Sequence, residues 1–160
     1  MSSPILTVGA PAPEFNLPVE PGGSVTLSAL RGRPVVLYFY PKDNTPGCTT
    51  EACDFRDRQS RLEASGAAVF GVSRDSVKSH AGFRAKYALT FPLIVDADAS
   101  LHQAYGAWGE KVLYGKRSIG PIRSTVLIDA AGKVARIWPK VSVKGHAEEV
   151  AAAVEALPKG

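Results

Sequence analysis

The sequence of 160 residues contains little cysteine and no long apolar run. Two cysteines are too few for the disulfide-dense scaffolds typical of small secreted proteins. No stretch approaches the roughly 18 uninterrupted apolar residues of a membrane-spanning helix, so we expect no membrane span. Internal repeats and low-complexity segments are absent as well. With 45% hydrophobic and 21% charged residues, the composition predicts a soluble globular protein.

Neither sign of charge dominates the sequence strongly. Nineteen Lys and Arg residues stand against 15 Asp and Glu residues, a formal net charge of +4. The basic excess lies in residues 81–160, mostly between Lys111 and Lys144. These basic residues are spread singly among apolar ones, without the dense runs or interleaved aromatics of a nucleic-acid-binding surface. The pattern favours a solvated basic face.

Apolar runs and turn-forming residues predict the strands of a mixed α/β fold. The proline-rich opening third predicts extended chain with a small hairpin near residues 25–27. Six apolar or aromatic residues without alternation, from Val35 to Tyr40, predict a strand buried on both faces. Further strands are predicted at residues 67–72, 91–95, 124–128 and 134–138.

Helices are predicted between these strands. Their expected spans are residues 45–64, 76–87, 99–105 and 145–157, and the residues from 106 to 121 are predicted to form a glycine-rich loop. The order of elements predicts a central mixed sheet with helices on both faces. We expect residues 1–160 to form one domain.

Cys48 falls at about the third position of the predicted helix 45–64. Thr45 is suited to the N-cap of that helix, and Pro46 to its first position. Because unpaired N–H groups and the positive end of the helix dipole stabilise an anion there, the thiolate is favoured over the thiol. The alternative is a buried, inert cysteine. The preceding Pro46-Gly47 and the nearby Cys53 favour a reactive one.

Cys53 lies five residues after Cys48 on the same predicted helix. A rise of ~1.5 Å and a rotation of ~100° per residue would place the two Cα atoms about 8.6 Å apart. A disulfide requires roughly 4.4–6.8 Å between Cα atoms. A bridge between these cysteines therefore requires at least one helical turn to unwind, which indicates a switching catalytic pair rather than a structural crosslink.

The sequence offers no motif for a metal or a nucleotide cofactor. His80, His102 and His146 are isolated, and neither Cys-x-x-Cys nor His-x-x-x-His spacing occurs. Glycine-rich phosphate-binding loops are also missing. We therefore expect no metal and no bound cofactor, and we expect the three histidines to be surface or packing residues.

The residues around Cys48 match a known signature. Pro41-x-x-x-Thr45-x-x-Cys48 resembles the Pro-x-x-x-Thr/Ser-x-x-Cys motif of the peroxiredoxins, and residues 38–53 resemble their Q-type branch, the bacterioferritin comigratory proteins. The similarity continues at residues 25–32, 105–111, 123–125 and 144–149. It implies a thioredoxin-like fold with an N-terminal β extension, and a thioredoxin-dependent peroxidase that reduces hydrogen peroxide and organic hydroperoxides.

The resemblance also implies a role for each site residue. Cys48 matches the peroxidatic cysteine that becomes a sulfenic acid, and Cys53 matches the resolving cysteine that closes an intramolecular disulfide. Thr45 and Arg123 match the residues that hydrogen-bond peroxide and thiolate, while Pro41 matches the one that shields the site from water. Arg123 directly precedes the predicted strand 124–128, from which it could reach the same site.

The same resemblance implies the reductant, whereas the oligomeric state and the compartment are predicted from the two cysteines themselves. The implied reductant is thioredoxin or a similar dithiol protein, with no nucleic-acid or membrane partner. Because both cysteines lie on one helix, no second chain is required, and we expect a monomer. A working dithiol needs a reducing compartment, which favours the cytoplasm. The N-terminus, residues 1–7, lacks a basic region followed by an apolar run, so we expect no secretory signal.

Two other functions stay open from the sequence alone. One is a general thiol–disulfide oxidoreductase on the same fold, although such enzymes usually carry Cys-x-x-Cys. The other is a basic nucleic-acid-binding or holdase protein in which the cysteines form a redox switch.

Overall fold

The structure, a computed structural model, describes residues 6–157. Residues 1–5, which belong to the N-terminus where we expect no secretory signal, lie outside the described part, as do residues 158–160. The strands are β1 (Asn16–Glu20), β2 (Ser24–Thr26), β3 (Val35–Phe39), β4 (Ala68–Ser73), β5 (Leu93–Val95), β6 (Trp108–Leu113), β7 (Lys116–Pro121), β8 (Ser124–Ile128) and β9 (Val134–Trp138). The α-helices are α1 (Pro46–Asp57), α2 (Gln59–Ala64), α3 (Val77–Tyr87), α4 (Ser100–Ala104) and α5 (His146–Glu155), and a 3₁₀ turn spans Leu27–Leu30.

A seven-stranded mixed sheet forms the centre of the molecule, in the order β2-β1-β5-β4-β3-β8-β9. Strands β3, β4 and β5 run parallel, whereas β1, β8 and β9 pair antiparallel with their neighbours. β1 and β2 form the hairpin predicted near residues 25–27. The predicted mixed sheet, with its N-terminal β extension, is therefore confirmed.

Strand β3 is buried on both faces, as predicted, because its side chains alternate between two hydrophobic clusters. Tyr38 packs in the cluster that contains Phe55 of α1 and Phe83 of α3. Phe39 packs in the other, with Leu101 of α4. Helices thus cover both faces of the sheet.

The sheet topology brings two distant parts of the chain to the same edge. α1 begins beyond the carboxyl end of β3. β8 pairs antiparallel with β3, with Ser124 opposite Phe39, so β8 begins at that edge. Arg123, the residue before β8, is therefore carried to the start of α1.

The prediction of a loop over residues 106–121 is wrong, because most of this segment forms the β6–β7 hairpin. The turn consists of Tyr114 (φ 52°) and Gly115 (φ 76°), both left-handed, as a type I′ hairpin turn requires. Gly109 and Gly120, which suggested a loop, lie opposite each other within the hairpin. Gly115 therefore belongs to a tight turn, and Gly109 and Gly120 form one cross-strand pair.

The helix predicted over residues 45–64 is divided into α1 and α2. Arg58 leaves helical geometry, with φ −105° and ψ 6°, and its N–H donates to the Phe55 carbonyl.

The three histidines are all buried, so they are packing residues and not surface residues. Among the described helices, none has both the length and the apolar content needed to cross a bilayer.

Candidate active site

Cys48 is the third residue of α1, where the sequence predicts it. Pro46 and Gly47 supply the first two helical positions, so Cys48 lies among N–H groups that lack partners within the helix. The Sγ atom accepts a hydrogen bond from Nη2 of Arg123 at 3.2 Å, and the residue is 1% exposed. A guanidinium and a helix N-terminus thus both stabilise negative charge on this sulfur.

Arg123 connects the thiol to a buried carboxyl group. Its Nη1 lies 2.6 Å from Oε1 of Glu51, while its Nη2 contacts Cys48. Burial lowers the pKa of Arg123, but the nearby Glu51 and Cys48 outweigh that effect and raise it overall. The backbone carbonyl of Arg123 also accepts from the Val141 N–H at 2.9 Å. These contacts fix the guanidinium in one orientation at the sulfur.

Gly47 provides the space that this guanidinium occupies. A Cβ atom built on Gly47 would lie 3.3 Å from Nη2 of Arg123. Any larger residue at position 47 would crowd the atom that donates to Cys48. The glycine before the cysteine is therefore explained by close approach and not by an unusual backbone angle.

Glu51 lies one helical turn after Cys48 and is 1% exposed. Burial raises its pKa to about 7, although the charge of Arg123 and the hydrogen bond from it act in the opposite direction. Its second oxygen, Oε2, is buried without a hydrogen-bond partner in the described part of the chain. Glu51 is therefore the acidic group of the site that titrates near neutral pH.

This raised pKa predicts a pH-dependent stability. Glu51 is easier to protonate in the folded protein than in the unfolded chain, where its pKa is 4.5. Its contribution to the free energy of unfolding is fully present below about pH 4.5 and is lost as pH rises through 7, a difference of roughly 3 kcal/mol. We expect the unfolding free energy of wild type to fall between pH 5 and 8 relative to Glu51→Gln.

Paired urea denaturations at several pH values measure this difference. Groups that titrate alike in both proteins, such as His146 with its pKa lowered to about 4 by burial, cancel from it. Parallel stability curves for the two proteins would show that Glu51 does not titrate in this range.

Thr45 occupies the N-cap position of α1, but its side chain does not cap the helix. Its hydroxyl donates instead to the carbonyl of Lys42 at 2.9 Å, while its own carbonyl accepts from the Thr49 N–H. Thr45 is thus the N-cap residue, as predicted, but its hydroxyl bonds the Lys42 carbonyl of the preceding turn and not the N–H groups of the helix. Pro41 is half-buried and starts that turn, directly after Tyr40.

Cys53 lies on the same uninterrupted helix as Cys48. Both cysteines are free, and Cys53 is half-buried where Cys48 is almost fully buried. The structure therefore places both thiols on α1 but does not bridge them, and the helix between them is intact.

Two residues of this site were not identified from the sequence. Glu51 could have been found, because it lies three positions after Cys48 and so on the same face of the helix. Lys111, on β6, could not, because its strand was predicted as a loop. Burial lowers the pKa of Lys111, and the charge of Arg123 lowers it further, whereas the charge of Cys48 raises it. The Lys111 ammonium is therefore close enough to interact with both groups.

Metal binding finds no support in residues 6–157. No group of three or more His, Cys, Asp or Glu side chains there is arranged to hold a metal ion.

Comparison with known proteins gives a consistent result. The model of the AhpC/TSA family matches residues 8–137. Peroxiredoxin Bcp of Xanthomonas campestris is 48% identical over 151 residues, covering 93% of this chain and 94% of that protein. Peroxiredoxin Bcp of Bacillus subtilis is 45% identical over 144 residues, covering 90% and 92%.

Solved structures show the same relationship. Peroxiredoxin Q of Xanthomonas campestris superposes with a TM-score of 0.87 at 45% identity, covering 95% of this chain and 96% of that one. A second structure, of the bacterioferritin comigratory protein of Xanthomonas campestris, concerns its alkyl peroxide reduction activity. It has the same TM-score and identity and covers 95% and 97%.

Proposed function

Since the chain belongs to the AhpC/TSA family and is a peroxiredoxin, a thiol peroxidase with a thioredoxin-like fold, we propose that Cys48 is the thiol that reduces peroxide. The contact of 3.2 Å between Cys48 Sγ and Arg123 Nη2, at the N-terminus of α1, carries this proposal. Cys53 has no such donor among its described contacts. Of the two thiols, Cys48 is therefore the one that accepts a hydrogen bond from a guanidinium among the described contacts.

The first step is attack by the Cys48 thiolate on one oxygen of the peroxide. The S–O bond forms as the O–O bond breaks, and the leaving oxygen takes up a proton to become water or an alcohol. Cys48 becomes a sulfenic acid. We propose that Arg123, Thr45 and the free N–H groups of the first turn orient the peroxide and stabilise the charge that develops on oxygen, while Pro41 keeps water from the site.

The second step forms a disulfide. The Cys53 thiol attacks the Cys48 sulfenic sulfur, an S–S bond forms, and the hydroxyl leaves as water. In the intact helix α1 the two thiols are too far apart to bond, so α1 must unwind between them. A dithiol protein, which we propose is thioredoxin, then reduces the disulfide by exchange and restores both thiols.

Thioredoxin-coupled turnover tests this function. The protein is mixed with thioredoxin, thioredoxin reductase and NADPH, and NADPH oxidation is followed after adding hydrogen peroxide or cumene hydroperoxide. Turnover with either peroxide is expected. Rapid reduction of insulin without any peroxide, together with slow peroxide turnover, would favour a general thiol–disulfide oxidoreductase.

Cys53→Ser is expected to separate the two steps. This variant should consume about one equivalent of peroxide per chain, because Cys48 and its donors are unchanged. It should then stop, because the sulfenic acid has no thiol in the chain to attack it. Peroxide consumption with thioredoxin present measures both phases. Normal recycling would show that Cys53 is not the resolving thiol.

We further propose that residues 1–160 form one domain that acts as a monomer in the cytoplasm. Two thiols on one helix support the monomer, because no partner chain has to supply a cysteine. Sedimentation velocity of the reduced and the oxidised protein tests it, and a dimer in either state would contradict it.

A further inference from the structure

A buried carboxylate lies at the centre of the turn that precedes Cys48. This turn, residues 41–45, is called the active-site loop here. Asp43, in its middle, is 5% exposed. Its Oδ1 accepts from the Tyr40 hydroxyl at 2.6 Å, and its Oδ2 accepts from the Ser79 hydroxyl at 2.8 Å. A third partner, Nδ1 of His80, lies 2.8 Å from Oδ2.

His80 is fully buried on α3, and both of its ring nitrogens face oxygen atoms. Nε2 lies 3.0 Å from the carbonyl of Ile94. A carbonyl can only accept, so Nε2 carries a hydrogen. One further proton lies between Nδ1 and Oδ2 of Asp43, whichever atom holds it. The ring therefore joins the loop to β5 through two specific hydrogen bonds.

The backbone of the loop is held from the same side. The Asp43 N–H donates to Oδ2 of Asp75 at 2.9 Å, and that oxygen also accepts from the Ser73 hydroxyl at 2.6 Å. Ser73 ends β4, the parallel neighbour of β3, so the carboxyl ends of both strands meet at this point. Asn44, the next residue of the loop, has a left-handed φ of 64°. Asparagine adopts this conformation more readily than other non-glycine residues, which suits it to the turn.

We propose that His80 and Asp43 are positioning residues that hold the active-site loop, and thereby the placement of Pro41 and Thr45 at Cys48. Asp43 lies two residues from each of them, so the loop cannot move as a unit without breaking the buried pair. This inference rests on the proposed function of Cys48. It assigns to the pair an effect on the peroxide reaction and not only on folding.

The chain contains a matched pair that serves as a control. His102 is also fully buried, with Nδ1 2.6 Å from Oδ2 of Asp96. It packs against Phe39 on the opposite face of the sheet from Cys48. Asp96 accepts from the first N–H groups of α4 and makes no described contact with the active-site loop.

Two variants at position 80 separate the hydrogen bonds. In His80→Asn the side-chain amide can donate near the position of Nδ1, toward Asp43, whereas in His80→Gln it can donate near the position of Nε2, toward Ile94. For each variant, the second-order rate constant for oxidation of Cys48 by hydrogen peroxide is measured in single turnover. Alkylation of Cys48 by iodoacetamide is measured in parallel, because it needs the thiolate but not the placement of Pro41 and Thr45.

His80→Gln is expected to slow peroxide oxidation about ten- to a hundredfold, because a displacement on the order of 1 Å at a reacting centre has an effect of that size. The rate of alkylation should change less than about twofold. His80→Asn and the control His102→Gln should each stay within about threefold of wild type, by the same argument from placement. Ser79→Ala, which removes a partly exposed donor to the same oxygen, should slow oxidation by roughly five- to tenfold, outside the range of these two variants. This milder variant carries the test if His80→Gln does not fold.

Three results would overturn the inference while wild type still reacts with peroxide. The first is unchanged oxidation in both His80→Gln and Ser79→Ala, and the second is equal slowing in His80→Gln and His102→Gln. The third is slower oxidation accompanied by faster alkylation, which would indicate local unfolding. If wild-type Cys48 itself does not react with peroxide, the proposed function fails instead.

Discussion

Replacing Cys48 with serine is expected to abolish peroxide reduction, with a loss of at least about a thousandfold. The attacking species is a thiolate, and a serine hydroxyl stays protonated near neutral pH and attacks an O–O bond poorly. The exchange changes little else, because serine is close to cysteine in size and Arg123 can donate to its oxygen as it does to Sγ. Peroxide consumption at micromolar enzyme, followed over minutes, measures the loss.

Cys53→Ser is the matched control, because it makes the same atomic change on the same helix. Cys48→Ser should consume no peroxide even in the first turnover, whereas Cys53→Ser should consume about one equivalent. If Cys48→Ser retains the first turnover, or if both variants lose it equally, the nucleophile has been wrongly assigned.

Removal of the Arg123 guanidinium is expected to produce the second-largest effect. Arg123→Met keeps an apolar stem of similar length but removes the donor to Cys48 and the partner of Glu51. Loss of one preorganised donor at developing charge costs on the order of a hundred- to a thousandfold in rate. We expect that loss in the second-order rate constant with hydrogen peroxide.

Arg136→Met provides the control for a lost arginine–glutamate pair. Arg136 lies 2.8 Å from Glu149 on the exposed side of β9 and α5, away from Cys48. Its removal should leave the peroxide rate within about twofold, because a surface ion pair contributes little. A loss of less than about threefold in Arg123→Met, or equal losses in both variants, would contradict a role for the guanidinium at the reacting sulfur.

The central elements of this site could be predicted because their signals are local. Pro41, Thr45 and Cys48 lie within eight consecutive residues, and the strand before them is an unbroken apolar run. A helix that starts soon after such a strand places the cysteine among free N–H groups, and this placement does not depend on contacts with distant residues. Arg123 directly precedes the predicted strand 124–128 and was singled out by the family resemblance, and the structure brings its guanidinium to Cys48.

The supporting contacts could not be predicted because they join residues far apart in sequence. Asp43 and His80 are 37 positions apart, and each alone resembles an ordinary turn or helix residue. The hairpin that carries Lys111 was missed because its strands contain glycines and charged residues, and β7 is largely exposed, so they lack the apolar alternation that marks a half-buried strand. Whether two polar residues form a buried pair depends on which helices and loops become neighbours, and the strand order of the sheet determines those neighbours.

Mass spectrometry of the reduced protein before and after one equivalent of hydrogen peroxide is the direct test of the reaction between Cys48 and Cys53. We expect a loss of two hydrogens within seconds, mapped by tryptic digestion to a bond between Cys48 and Cys53. Hydrogen exchange across α1 in the same samples should show protection lost upon oxidation. The proposed reaction would be contradicted if both thiols stayed reduced. It would also be contradicted if Cys53 were oxidised while Cys48 remained a free thiol.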